Sequence, residues 1–118
     1  MVRVIQISDT HLSPSKQHFE ANWGPLARWI GQHKPDLVIH TGDVTVDGAD
    51  KETDAAYCAA QLASLGVPVG AVPGNHDVGE VGNPHQPVNS ERLDRFRRHF
   101  SDDRWLRDAD GWRLIGLN

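Results

Sequence analysis

The fold of this chain is decided by a stretch near its amino end, Val2–His11, which reads VRVIQISDTH. Its apolar residues are valine and isoleucine, and a short β-branched run of this kind is typical of a strand buried on both faces of a parallel sheet. The apolar run stops at Ser8, and the polar side chains of Asp9 and His11 follow directly. The stretch therefore predicts a buried strand that ends in chemically reactive groups.

Further along, the chain alternates helical and strand patterns. A helix is predicted over 22–33, because its apolar residues repeat at helical spacing and Pro35 bars continuation. A strand is predicted at 37–39 and another over 67–72, and between them lies a helix that Gly66 closes in a left-handed conformation. The apolar face of this second helix consists of Ala55, Cys58, Leu62 and Leu65. Crossovers of this length require parallel pairing, so the predicted class is α/β, a mostly parallel sheet with crossover helices.

The last third of the chain is predicted to contain a loop, a helix and a strand. Glycines and prolines mark an irregular loop over 79–87, Ser90 is placed to cap a helix, and a strand is predicted over 112–117. The arginines of this helix alternate with acidic residues, so we expect them to form a solvated charged face. They are Arg92, Arg95, Arg97 and Arg98.

Length and composition limit the classes of protein that this chain can represent. With 118 residues it is predicted to form one domain over 1–118. A net charge of -4 disfavours binding to the phosphate backbone of nucleic acids. Its single cysteine, Cys58, lies in the apolar pattern of a helix, so no intramolecular disulfide is predicted. The lack of a long apolar run or signal peptide predicts a cytoplasmic protein with no membrane partner.

A short polar segment follows each of the three predicted parallel strands. The segments are Asp9-Thr10-His11, Gly42-Asp43 and Gly74-Asn75-His76-Asp77. Parallel strands direct their carboxyl ends to the same edge of a sheet, so the three segments are expected to converge on one crevice. Their donor atoms are oxygens and nitrogens without thiolate, a mixture that suits Mn, Fe or Zn.

The spacing of these residues has a physical reason. Asp9 and His11 are two residues apart, so in extended chain their side chains lie on the same side and can reach one ion. Gly42 and Gly74 carry no side chains, which allows the backbone to turn sharply and to approach the ions closely. Asp43 has two carboxylate oxygens and could bridge two cations about 3.5 to 4 Å apart, where a shared water would become hydroxide near neutral pH.

In order and spacing, the three segments resemble the calcineurin-like metallophosphoesterases, whose pattern runs D-x-H, G-D, G-N-H-[D/E], a lone histidine and finally G-H-x-H. The chain matches the first three blocks, and residues 5–77 are most similar to the cyclic-nucleotide and glycerophosphodiester phosphodiesterase branch. The resemblance implies the N-terminal part of a four-layer αββα sandwich. It also implies two divalent metal ions, Mn, Fe or Zn, and a phosphate-ester substrate.

The resemblance further implies a role for each matched residue. Asp9 and His11 would bind the first ion, Asp43 would bridge both ions, and Asn75 would bind the second ion through its side-chain oxygen. His76 would be catalytic, stabilising charge on the phosphoryl oxygens or protonating the leaving oxygen. Asp77 would complete the catalytic pair from behind, steadying the turn or His76. The implied enzyme is a dinuclear metal-dependent phosphoric ester hydrolase that uses a metal-bridging hydroxide.

The two later histidine blocks of that pattern are absent from the chain. Besides His76, the only histidines after Asn75 are His85 and His99, and neither stands in a G-H or H-x-H context. We therefore expect a truncated domain, a complementing chain that supplies the missing histidines, or a homodimer that covers the sheet, and we expect exposed apolar surface. The alternative function is a non-catalytic, metal-poor binding scaffold on the same fold.

Several other polar residues have simpler interpretations. His40 is predicted to be a hydrogen-bonded sheet histidine whose side chain points away from those of its neighbours in the chain. Asp47 is predicted to be an exposed turn residue, although it could orient His76. His18 and His85 lie in predicted loops near the crevice, where surface histidines are more common than substrate contacts.

Overall fold

The computed structural model describes all residues, 1–118. Five strands and four helices follow one another along the chain. In order they are β1 (Val4–Ile7), α1 (Glu20–His33), β2 (Leu37–His40), α2 (Glu52–Ala63), β3 (Val69–Ala71), α3 (Asn75–Val78), α4 (Ser90–His99), β4 (Trp105–Ala109) and β5 (Trp112–Gly116). None of the helices combines the length and the apolar character needed to cross a bilayer.

The first three strands form a parallel sheet in the order β1-β2-β3, which confirms the predicted α/β class. Since each right-handed crossover steps in the same direction, α1 and α2 pack on the same face of this sheet. Ile7 and Val38 of the sheet share a buried cluster with helix side chains. The helix members are Trp23 and Ile30 of α1 and Cys58 and Leu62 of α2.

The prediction that the first strand is buried on both faces is wrong. β1 is an edge strand, and Val4 keeps 38% of its surface exposed while Gln6 is exposed as well. The helices pack against the face of β1 that carries Ile5 and Ile7, whereas Val4 and Gln6 on the other face remain exposed. The β-branched run predicted the strand, but it could not report how many layers cover it.

The ends of the first two helices follow local chemistry. α1 begins at Glu20 rather than residue 22 and ends at His33, as predicted; its C-cap residue, Lys34, adopts a left-handed conformation just before Pro35. α2 ends earlier than its apolar pattern suggested, so that Leu65 lies beyond the helix but remains buried in the core. Gly66 has φ +68°, as predicted for the residue that closes the helix.

Two predictions about α4 are corrected. The N-cap is Asn89, whose side chain accepts a hydrogen bond from the Arg92 backbone nitrogen at 2.9 Å, so Ser90 is the first helical residue. The arginines are not uniformly solvated. Arg95 is buried and hydrogen-bonds the carbonyl of Ala49, and the Arg92 guanidinium lies 2.6 Å from the Asp50 carboxylate. These two arginines attach α4 to the segment that precedes α2.

The last two strands form an antiparallel hairpin, of which only the second strand was predicted. Its turn contains Asp110 and Gly111 with φ of 49° and 83°, and an Asp-Gly pair with two positive φ values is a strong hairpin signal that the sequence analysis missed. The Trp105 ring contacts Gly70 on the sheet face opposite the helices, and its Nε1 donates to the Ala71 carbonyl at 2.8 Å.

The hairpin leaves apolar side chains on the surface, as expected from the sequence. These residues are Leu106, Trp112, Ile115 and Leu117. A cavity of about 350 Å³ lies between the hairpin and the sheet face opposite the helices, next to Ile39 and Val72. The second face of the sheet is therefore only partly covered by this chain.

Candidate metal centre

The three polar segments converge at the carboxyl edge of the parallel sheet. The Nε2 atom of His11 lies 3.7 Å from Oδ1 of Asp9 and 3.8 Å from Oδ2 of Asp43. His11, Asp43 and His76 each direct one donor atom to a common region in which these atoms lie within 4.8 Å of one another. Residues that are far apart in sequence are thus close together in space.

The distances of 3.7 and 3.8 Å from His11 to Asp9 and Asp43 fit the sharing of an ion better than direct hydrogen bonding. Hydrogen-bonded nitrogen and oxygen atoms lie within about 3.2 Å of each other. Atoms that bind one ion at about 2.1 Å can be as much as about 4.2 Å apart. The donor set of imidazole nitrogen and carboxylate oxygen, without sulfur, also matches the preferences of Mn, Fe and Zn. The residues therefore fit the divalent metal that the sequence resemblance implies.

The backbone of the ligand residues is held in an unusual conformation. Asp9, His11 and Asp43 have φ values of 55°, 43° and 54°, in the left-handed region that costs a residue with a side chain about 1 to 2 kcal/mol. Such conformations persist where the surrounding structure holds them, and they concentrate at functional sites. Here the two loops are held together by backbone hydrogen bonds from Asp9 to Gly42 at 3.0 Å and from His11 to Asp43 at 3.1 Å.

Two glycines allow the loops to approach each other. A Cβ placed on Gly42 would lie 2.9 Å from the backbone nitrogen of Gly74, and Gly42 itself has φ +113°. A Cβ placed on Gly74 would lie 2.5 Å from the backbone nitrogen of Asp43 and would overlap its carboxylate. The sequence analysis expected the glycines to permit close approach to the ions. The structure shows that they permit close approach of one loop to the other.

His76 is held by the side chain of Asp43 and by the backbone carbonyl of Val46. Its backbone nitrogen donates to Oδ1 of Asp43 at 3.0 Å. Its ring Nδ1 lies 2.7 Å from the carbonyl of Val46, and since a carbonyl only accepts, Nδ1 carries the proton and Nε2 is free. Asp47, considered as an orienting group for His76, instead forms ion pairs with Lys16 and Lys51. The sequence analysis missed Val46, because any residue can offer a backbone carbonyl.

Asp77 lies behind His76 and joins two loops. Its buried carboxylate accepts hydrogen bonds from the backbone nitrogens of Val44 at 3.2 Å, Thr45 at 2.9 Å and Gly74 at 2.9 Å, and from the Thr45 hydroxyl at 2.8 Å. Burial raises the pKa of Asp77, and these hydrogen bonds oppose the rise. The carboxylate thus holds the loop that carries Asp43 against the loop that carries His76.

The remaining predicted ligands lie at the rim of the site. Asn75 is exposed in the first turn of α3, and its side chain makes no hydrogen bond, so its role as a ligand stays a prediction. The side chain of Asp9 is 64% exposed, and the Ser8 hydroxyl donates to it. A cavity of about 210 Å³ lies between Asp9 and the apolar side chains of Trp23 and Leu26.

The two loop histidines contribute little to the site. The rings of His18 and Phe19 lie 6.4 Å apart, and Phe19 in turn lies 5.8 Å from the His11 ring. His85 is exposed, and its hydrogen bond goes from its backbone nitrogen to Asn83. Neither ring forms a hydrogen bond to a site residue.

His40 is buried below the site, with 0% of its surface exposed. Its ring is hydrogen-bonded to Thr10 at 2.9 Å and to the Gly42 backbone at 3.3 Å, as expected for a sheet histidine that is not a ligand. Burial lowers the pKa of His40 from 6.5 to about 4. The nearby carboxylates of Asp9 and Asp43 oppose this shift, and His11 adds to it.

This burial predicts a pH dependence of stability. Because the pKa of His40 is lower in the folded than in the unfolded protein, the unfolded chain binds more protons between pH 6.5 and 4. The stabilisation is complete above pH 6.5 and is lost as the pH falls towards 4, by about 3 kcal/mol in total. Urea unfolding of the metal-free protein across this range checks the slope. His40→Gln should flatten it, and equal slopes for the two proteins would contradict the assignment.

The sequence of this chain is similar to those of known phosphoesterases. A model of the calcineurin-like phosphoesterase family matches residues 2–117. The chain is 31% identical over 121 residues to a probable glycerophosphodiester phosphodiesterase of Arcobacter nitrofigilis, covering 95% of this chain and 38% of that protein. It is 37% identical over 117 residues to the 3',5'-cyclic adenosine monophosphate phosphodiesterase CpdA of Escherichia coli, covering 88% and 39%.

A solved structure shares the fold at much lower sequence identity. The purple acid phosphatase isolated from yellow lupin seeds superimposes with a TM-score of 0.67 and 13% identity, covering 97% of this chain and 23% of that one. This similarity supports the predicted metallophosphoesterase fold. The chain spans about two fifths of the length of the two phosphodiesterases that it matches.

Proposed function

Because the chain belongs to the calcineurin-like phosphoesterase family, we propose that it carries the metal-binding residues of a phosphoesterase that hydrolyses phosphate esters with two divalent cations. One observation supports this function above all others. The carboxylates of Asp9 and Asp43 both lie within 3.8 Å of the same His11 nitrogen, although Asp43 is 32 residues away from His11 in the sequence. Left-handed backbone of this kind concentrates at functional sites, and here it brings charged side chains together at one point.

In this proposal each ligand residue has a defined position. Asp9 and His11 would hold the first cation, the Asp43 carboxylate would serve both cations, and Asn75 would hold the second. Divalent cations bound there would neutralise charge on the phosphoryl group and activate a water for in-line attack on phosphorus.

His76 is the proposed catalytic residue that contacts the substrate. Its Nδ1 proton is donated to the Val46 carbonyl, which keeps Nε2 directed away from the backbone. Protonated at Nε2, the ring can donate to a phosphoryl oxygen or to the leaving oxygen. Asp77 is a positioning residue, since all four of its hydrogen bonds go to the loops around Asp43 and His76.

The proposed substrates are phosphodiesters. The matched relatives carry the names of glycerophosphodiester and cyclic-nucleotide phosphodiesterases, and the side chain of Asp9 at the rim of the site is 64% exposed to solvent. The later histidine blocks of the family pattern do not occur in these 118 residues, so we propose that a complementing segment or chain supplies the other ligands. A mildly acidic protein can bind an anionic substrate in this way, because bound cations reverse the local charge.

The ligand role of Asp43 is tested by Asp43→Asn, with Asp47→Asn as the matched control. The amide of Asp43→Asn keeps the shape but loses the charge and one acceptor oxygen, so we expect Mn²⁺ affinity to fall at least about 100-fold. Asp47 pairs only with surface lysines, so Asp47→Asn should bind Mn²⁺ normally. Isothermal titration measures the affinity, and hydrolysis of an aryl phosphomonoester and of the matching bis-aryl diester measures activity.

The outcomes separate the two functional hypotheses. Mn²⁺-dependent turnover that is faster on the diester supports the proposal. Equal Mn²⁺ binding by Asp43→Asn and the unaltered protein would contradict the role of Asp43. Failure of the unaltered protein to bind Mn²⁺, Zn²⁺ or Fe²⁺ would favour the non-catalytic scaffold.

A further inference from the structure

We propose that His40 is a positioning residue. Through its hydrogen bond to Thr10, its buried ring holds the loops of Asp9, His11 and Asp43 in their metal-binding conformation. This inference rests on the proposed function, since it assigns a purpose to the conformation of the ligand loops. His40 lies outside all of the sequence motifs that point to the metal site.

Three hydrogen bonds link Gly42, His40, Thr10 and Val44 in series, and every donor in the series faces the same way. We call this series the relay. The backbone nitrogen of Gly42 donates to Nδ1 of His40 at 3.3 Å, so Nδ1 must be unprotonated. The proton of the neutral ring is then on Nε2, which lies 2.9 Å from the hydroxyl oxygen of Thr10. That hydroxyl donates in turn to the carbonyl of Val44 at 3.1 Å. Each proton in the series therefore has a single acceptor.

The relay contacts the chain beside every strained ligand residue. Thr10 stands between Asp9 and His11, and Gly42 and Val44 flank Asp43. These are the three residues with left-handed backbone at the site. A single buried ring therefore joins the loop after β1 to the loop after β2, next to the residues whose positive φ values are energetically unfavourable.

The environment of His40 keeps the ring in the form that this relay requires. The ring is completely buried, and burial disfavours its charged form. A protonated ring would turn Nδ1 into a donor facing the Gly42 N–H, and the relay would lose its first link. Neutral imidazole can accept at one nitrogen and donate at the other, which no aliphatic side chain can do.

The relay is tested first in the metal-free protein. Ring ¹⁵N chemical shifts should show His40 as the Nε2-protonated tautomer at pH 7. We expect Thr10→Val, which keeps the branched shape but removes the hydroxyl, to accelerate amide hydrogen exchange at Asp9 and His11 about tenfold. A ring protonated at Nδ1, or unchanged exchange in Thr10→Val, would overturn the proposal.

Mn²⁺ titration tests the consequence for the metal site. Groups that orient metal ligands typically contribute 10- to 100-fold to affinity, so we expect Thr10→Val to weaken Mn²⁺ binding about tenfold. Thr10→Ser retains the hydroxyl and should restore the affinity. Thr41→Val is the matched control, because the Thr41 hydroxyl donates to Ile7 and takes no part in the relay. Equal Mn²⁺ affinity of Thr10→Val and Thr41→Val would also overturn the proposal.

The two measurements distinguish failure of this inference from failure of the proposed function. If the unaltered protein binds no Mn²⁺, the proposed function fails, and the tautomer and amide exchange still decide whether His40 orders the loops. If it binds Mn²⁺ and Thr10→Val binds equally well, the function stands and the relay is refuted.

Discussion

Asp77→Asn is expected to lower the free energy of unfolding by about 3 kcal/mol, because no orientation of the amide can satisfy the groups around it. Oδ1 accepts from the nitrogen and the hydroxyl of Thr45, and Oδ2 accepts from the nitrogens of Val44 and Gly74. In either orientation the new NH₂ faces at least one backbone N–H that has lost its acceptor. Urea or guanidinium unfolding of the metal-free protein measures the loss.

Asp36→Asn is the matched control for Asp77→Asn. The carboxylate of Asp36 is exposed and accepts a single backbone hydrogen bond, from Arg3 at 2.7 Å, so we expect a loss below about 1 kcal/mol. Thr45→Val removes one of the four donors to Asp77 and should lie between the two variants. A cost for Asp77→Asn no larger than that of Asp36→Asn would refute the role of Asp77 in joining the loops.

Gly74→Ala is expected to weaken Mn²⁺ binding severely. The added methyl group would overlap the Asp43 carboxylate and lie 2.5 Å from the Asp43 backbone nitrogen. Either the carboxylate or the whole loop must move, and we expect Mn²⁺ affinity to fall at least about 100-fold, with a destabilisation of about 1 to 3 kcal/mol. Isothermal titration and urea unfolding measure the two effects separately.

Gly31→Ala controls for the added methyl group. Gly31 lies in α1, where a Cβ would meet nothing within 4 Å, so this variant should keep its Mn²⁺ affinity and gain up to about 1 kcal/mol from helix propensity. Retention of Mn²⁺ affinity by Gly74→Ala would show that Asp43 is not the ligand proposed here.

The parallel sheet could be predicted from the sequence because the signals for its strands and helices are local. Short apolar runs, the Pro35 stop and the Gly66 closure act within a few residues, and the structure places β2, α2 and the left-handed Gly66 close to the predicted positions. The hairpin could also have been predicted, since Asp110 and Gly111 are a local signal. The single turn of α3 could not, because four residues carry too little periodicity to identify a helix.

Burial was predicted less well than secondary structure. Arg95 was assigned to a solvated face from the alternation of charges in its helix, yet it is buried against the segment that precedes α2. Val4 was assigned to a buried strand and is exposed at the edge of the sheet. The carbonyl that Arg95 meets, that of Ala49, is 46 residues away in the sequence, and Val4 is exposed because no layer covers its face of the sheet. A local pattern carries no information about either.

The amino-acid sequence by itself determined which residues meet at the candidate site. Parallel strands joined by helical crossovers must end at one edge, and the polar residues that follow each strand must therefore come together. Only the tertiary structure decided how they are held there: Val46 orients His76, Asp77 joins two loops, and His40 reaches Thr10 through the core. These contacts depend on distances between atoms that no spacing in the chain specifies, because they arise when separate loops pack against each other.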